Sequence, residues 1–123
     1  MPGRWENLLR LARLEVSETL DGLPSDLKQR AQALPIVYEQ VPSRALISDG
    51  IEADTLGLFV GHDFADEEHG VLPAEILLFL ENIWEMVEGN EDEFRFEVRT
   101  TFMHELGHYL GLDEQGLDDR GLQ

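Results

Sequence analysis

The stretch from Asn90 to Gly111 constrains the fold more than any other part of the chain, because it carries the start, body and stop signals of one long helix. Asn90 is a good N-cap, and Glu91, Asp92 and Glu93 place negative charge where the helix dipole is positive. Gly111 suits the left-handed position that ends a helix and reverses the chain. Setting the residues at 100° intervals separates two faces between Glu91 and about Leu110. Phe94, Val98, Phe102, Leu106, Tyr109 and Leu110 share one broad apolar side, and Glu97, Thr101, His104 and His108 cluster on another. Arg95 and Arg99 project from the apolar side, so one or both are expected to snorkel to its edge.

The rest of the chain must bury that apolar side. Trp5, Leu8, Leu9, Ala12, Val16 and Leu20 recur at helical spacing from Arg4 to about Leu20, with Arg10, Arg13, Glu15 and Glu18 assigned to the polar face. Asp21-Gly22 breaks this helix, and Leu23-Pro24-Ser25-Asp26 starts a short one that runs to about Ala33 and stops before Pro35. Ile36 to Val41 alternates apolar and polar side chains and reads as a strand ended by Pro42. Residues 43–55 read as a polar, turn-rich connection, and Leu56 to Gly61 as a second strand bounded by glycine. His62 to Pro73 is acidic and irregular. Ala74 to Leu80 is a third strand candidate running into a helical turn near Asn82–Val87, although its leucines would also suit a helix.

Length and composition narrow the possibilities further. A chain of 123 residues supports one ordinary core, so residues 1–123 are expected to form a single domain. The absence of cysteine removes disulfides, thiolate metal sites and cysteine nucleophiles, leaving His and carboxylates as metal ligands. No stretch is long and apolar enough to span a bilayer, and Met1-Pro2-Gly3-Arg4-Trp5 does not open an export signal, so a cytoplasmic location is expected. The net charge is −17, and no Lys or Arg occurs between Arg44 and Arg95. Such a surface disfavours nucleic acids and anionic membranes as partners and favours cationic or neutral ones, besides keeping a small domain soluble.

Within the long helix, His104-Glu105-Leu106-Gly107-His108 puts two imidazoles one turn apart on one face, where they can grip a single metal ion. The carboxylate between them is well placed as a general base toward water activated by that metal. Past the Gly111 turn, Asp113 and Glu114 each offer a carboxylate as third ligand. Either would complete a His₂-carboxylate zinc set with an open fourth position.

His104-Glu105-x-x-His108-x-x-Gly111-x-x-Glu114 resembles the extended motif of the metzincin side of the zincins, with an acid in place of the third histidine. More closely, the chain resembles the minimal zincin-like metallopeptidases of bacteria. Leu20–Pro24 stands in the family's "AL-x-x-LP" position, Leu56–Gly61 resembles its "LGLYQG", Glu75–Phe79 its "ITLY", and Glu97–Leu112 its "EVRRTVLHEIAHHFGI". The family motif is HExxHxxGxxD, and this chain has Glu114 at the last position with Asp113 just before it; motif register favours Glu114 over Asp113. His62 stands where the family often has Gln, and reads as a solvated loop histidine. The resemblance implies an α+β fold, a small mixed sheet flanked by helices, with the active helix beneath the sheet and the metal in a cleft along one sheet edge.

The function expected on this basis is zinc-dependent hydrolysis of peptide bonds with Glu105 as general base, acting on peptides or unfolded protein segments. By analogy with larger zincins, Glu75–Phe79 is expected to serve as an edge strand that pairs with the substrate. Tyr38 and Tyr109 are available to stabilise an oxyanion but read first as packing residues. A second reading keeps the fold without turnover, as a metal-stabilised binding or regulatory module. It is motivated by the lack of a second wall for a cleft and by the dense acidic charge. Oligomeric state leaves no mark in the sequence.

Overall fold

The computed structural model describes residues 3–61, 73–112 and 114–119, with the side chains of Glu114, Asp118 and Asp119 excepted. Six helices and three strands follow in the order α1 (Arg4–Asp21), α2 (Ser25–Ala31), β1 (Ile36–Glu39), α3 (Arg44–Ser48), β2 (Gly57–Val60), β3 (Glu75–Phe79), α4 (Leu80–Met86), α5 (Glu91–Leu110) and α6 (Glu114–Asp119). The architecture is α+β, with a small mixed sheet in the order β1-β3-β2. β1 runs parallel to β3, and β2 runs antiparallel to it.

The ambiguity after Pro73 is resolved in sequence: Glu75–Phe79 is a strand, and Leu80 opens a helix directly. The strand is not an edge. It is the middle of the three, with Ile76, Leu78 and Phe79 fully buried, which is why it reads as a continuous apolar run rather than an alternating one. Among the described residues the edges are β1 and β2. The expectation that Glu75–Phe79 pairs with substrate is therefore wrong, because both of its sides are already taken by neighbouring strands.

Two elements were not legible in the sequence. Residues 43–55 contain α3, a single short turn started by Ser43, whose hydroxyl oxygen accepts from the Leu46 amide at 3.2 Å. Beyond Gly111 the chain forms α6. Neither has enough apolar periodicity to announce itself, and helices this short depend on packing rather than propensity. The side chain of Asn82 fixes the connection before β2 from the first turn of α4, donating to the carbonyls of Ala53 and Thr55 at 2.8 and 2.9 Å.

The long helix α5 has the predicted caps. Asn90 accepts from the Glu93 amide at 3.0 Å, and Gly111 closes the helix at φ 73°, ψ 25°. Phe94, Val98, Phe102 and Leu106 are fully buried in the core, with Tyr109 and Leu110 nearly so. They pack with α1 and the inner face of β2 and β3, and Trp84 of α4 meets Phe94 edge-on, with ring centroids 5.7 Å apart.

One charge lies where the sequence reading put a solvated face. Glu15 of α1 is only 5% exposed. Its two carboxylate oxygens meet Nε of Arg95 at 3.2 Å and Nε of Arg99 at 3.7 Å, while the guanidiniums reach solvent. The snorkelling expected of one or both arginines thus occurs in both, toward one buried partner, which clamps α1 against α5. Because the arginines can still be hydrated, the loss of Glu15 should cost less than breaking a fully buried pair. Glu15→Ala is expected to destabilise the fold by about 1–2 kcal/mol in urea unfolding, with the effect shrinking in Glu15→Gln, which keeps the shape and part of the hydrogen bonding.

Candidate metal centre

α5 carries its polar stripe away from the core, and His104 and His108 emerge exposed on it, one turn apart. Their ring centroids are 4.9 Å apart with planes inclined at 63°. Between them Glu105 points inward and is 7% exposed. Potential ligand atoms of all three residues lie within 4.8 Å of one another, and Nδ1 of His108 is 3.7 Å from Oε2 of Glu105.

Glu105 is held by the sheet as well as by its helix. Burial pushes its carboxyl above the usual carboxylate range; the imidazoles of His108 and His104, and a hydrogen bond from the Phe59 backbone, oppose that shift. The Phe59 amide is free to donate because of strand register. The Phe79 amide bonds to the Leu56 carbonyl at 2.9 Å, so in the antiparallel ladder Leu56, Leu58 and Val60 face β3 with their polar groups. Gly57 and Phe59 turn theirs outward. The outer edge of β2 therefore borders the carboxylate of Glu105.

Close approach of β2 to α5 requires Gly57. A Cβ on this residue would lie 2.5 Å from Cγ2 of Thr101, one turn before His104. Two strand positions further, Phe59 packs on Tyr109, with ring centroids 5.9 Å apart at 59°. Tyr109 is 2% exposed and belongs to the core. Tyr38 sits on the other edge strand, β1, below the Arg13 guanidinium at 5.6 Å, and burial raises its phenol pKa, with Arg13 opposing. Both tyrosines therefore have packing environments, as read from the sequence.

The glycine inside the motif had no assigned role in the sequence reading. Gly107 is buried, and a Cβ there would approach the Leu112 carbonyl and Cδ1 of Leu117 at 3.1 Å each. It is the seat on which α6 folds back, with Leu117 3% exposed against it. Leu112 donates to the Gly107 carbonyl at 2.8 Å, completing the reversal that Gly111 begins. Glu114 is the first residue of α6. Asp113 and His62 lie outside the described residues. A separate depression of about 430 Å³ lies on α1, lined by Glu6, Leu9, Arg10, Arg13 and Leu14, and holds none of these residues.

The profile of the zincin-like metallopeptidases matches residues 31–122. The chain belongs to that family. No curated protein matches it. The matched span contains all three strands and the whole of α5, so the membership rests on the elements that build the site and not on the short motif alone. Among the described residues, no helix of this family member is long and apolar enough to cross a membrane.

The donor set fits the metal that the family implies. Tetrahedral zinc with bonds of about 2.0–2.1 Å places neighbouring ligand atoms about 3.3 Å apart, which exposed imidazoles can reach by small side-chain rotations. His104→Ala protein should keep the wild-type circular dichroism spectrum, since residue 104 is outside the core, but lose zinc to dialysis in elemental analysis. The wall of the site can be tested separately. Gly57→Ala should lower stability by about 1–3 kcal/mol through overpacking against Thr101. Pairing it with Thr101→Ala, which removes the opposing methyl, should recover much of that loss in thermal melts.

Proposed function

We propose that this protein is a zinc-dependent peptide hydrolase acting on extended peptides or unfolded segments. The observation that carries the reading is the position of Glu105: it is buried between two exposed imidazoles and bonded to the outward-facing amide of an edge strand. A catalytic carboxylate needs that combination of fixed orientation and contact with the substrate path. His104 and His108 are the proposed ligands, with Glu114 as the third. Gly111 and the seat at Gly107 bring the start of α6 back toward α5, which supports Glu114 by chain path, and Asp113 is the alternative.

Zinc at such a site acts as a Lewis acid, polarising a carbonyl and lowering the pKa of water. Glu105 would accept the proton of the attacking water on its carboxylate and return it to the leaving amine. Its burial and its bond to the Phe59 amide fix the orientation that this proton transfer needs. The outer edge of β2 offers the Gly57 peptide groups and the Phe59 carbonyl to an extended chain, the Phe59 amide being held by Glu105, so the main chain of the substrate would be held by strand addition. This replaces Glu75–Phe79 in that role.

A metal-stabilised binding module without turnover would use the same residues and the same edge. Glu105 separates the two, because a binding module has no need of a proton carrier beside its metal. Glu105→Gln protein is expected to retain zinc while peptide cleavage falls by roughly two to four orders of magnitude. A screen of unstructured peptides by mass spectrometry, run on both proteins, checks this; wild-type activity surviving in the variant would reject the mechanism. Zinc titrations of Glu114→Ala and Asp113→Ala identify the third ligand by which substitution weakens binding.

A further inference from the structure

Three groups beyond the proposed machinery invite a role. The Arg10 and Arg13 face of α1 borders the free edge of β1, but nothing there selects an occupant. The Glu15 clamp is explained by helix packing. The third is Glu97, which shares the stripe of α5 with Thr101, His104 and His108, and the packing of the core does not account for it.

Glu97 is part-buried, and its Oε1 accepts from the Thr101 hydroxyl at 3.3 Å. Side chains four positions apart lie on one helix face, so this bond orders the carboxylate on the same stripe as the histidines. Among the described residues the Thr101 hydroxyl is its only polar partner, although a carboxylate can accept several hydrogen bonds. The nearest cations along the helix are engaged elsewhere, since Arg95 and Arg99 both turn to Glu15. No Lys or Arg lies between Arg44 and Arg95, so neither β2 nor the segments flanking it carry a cation of their own. Thr101 in turn touches Gly57, the first residue of the open edge.

We propose that Glu97 selects a cationic side chain of the substrate, Lys or Arg, at one position on the C-terminal side of the cleaved bond; this rests on the peptidase reading above. The direction follows from the strand. β2 passes Thr101 at Gly57 and reaches Glu105 and Tyr109 at Phe59, so it runs along α5 in the same sense. A peptide added antiparallel to β2, the slightly more stable pairing, enters near Val60 and leaves past Gly57. Its residues after the cut then lie over Thr101 and Glu97. Seven helical positions separate Glu97 from His104, about 10 Å along the axis. At about 3.3 Å per extended residue, the second or third residue past the cut comes level with the carboxylate. A lysine or arginine there would find an acceptor that is already ordered by Thr101 and has no counter-ion among the described residues.

The test uses zinc-loaded full-length protein and alanine-based octapeptides, each carrying a single Lys or a single norleucine at a scanned position. Binding is measured by fluorescence anisotropy in the Glu105→Gln background, so the readout does not depend on turnover, and cleavage is followed in parallel with Glu105 intact. Lys is expected to bind roughly three- to tenfold more tightly than norleucine at one position, the worth of one part-buried ion pair. Glu97→Gln should erase that ratio and Glu97→Lys invert it, and 0.5 M salt should shrink it. Thr101→Val, which removes the hydroxyl but keeps the shape, should reduce the ratio without erasing it, and serves if a substitution at 97 perturbs folding. Tight binding and cleavage with no Lys preference, or a preference that persists in Glu97→Gln, overturns the assignment and leaves the peptidase reading intact. If no peptide is bound or cut by any form, the peptidase reading fails and this specificity fails with it.

Discussion

The contact between β2 and α5 is the constraint on which the site depends. Gly57 lets the strand come against Thr101, and the outward amide of Phe59 then meets Glu105. A single methyl at residue 57 would collide with the helix. Without that approach the carboxylate would lose its backbone partner, and the peptide groups of the edge would move away from the histidines. One small residue thus sets the distance between the proposed proton carrier and the proposed substrate path.

The remaining architecture holds this contact in place. The apolar side of α5 is anchored by fully buried Phe94, Val98, Phe102 and Leu106, and Glu15 clamps the side facing α1 through two arginines. Asn82 ties down the segment leading into β2. Because close-packed interiors transmit small displacements, this frame is rigid where the chemistry needs it. The histidines themselves stay exposed, so they can rotate onto an ion without disturbing the core. Rigid support below two exposed imidazoles suits the proposed centre, which must be both positioned and loaded.

Much of the metal centre was legible in the sequence because its signals are local. His104 and His108 are joined by helical periodicity, and the caps at Asn90 and Gly111 are matters of one turn each. The resemblance through Glu97–Leu112 led to the family that the profile match shows. Errors arose where the answer depends on distant partners. Glu15 looked solvated because its own helix places it beside polar residues; its burial follows from arginines eighty positions away. Gly57 was read only as part of a strand and Gly107 had no assigned role, yet each is a packing site whose neighbour comes from another element. α3 and α6 are too short to show a period.

By itself, then, the sequence determined the long capped helix, the pairing of His104 with His108 across one turn, the carboxylate between them and the exclusion of thiolate chemistry. These follow from residue identity and from the 3.6-residue repeat, which need no knowledge of the rest of the chain. Tertiary structure alone decided that Glu75–Phe79 is the central strand and Gly57–Val60 an edge, since strand order is a relation between segments separated along the chain. It also decided which backbone amide reaches Glu105, because outward and inward peptide groups alternate only once a register is set. Local periodicity can bring the two histidines together; only the packed sheet can say along which edge a substrate would lie.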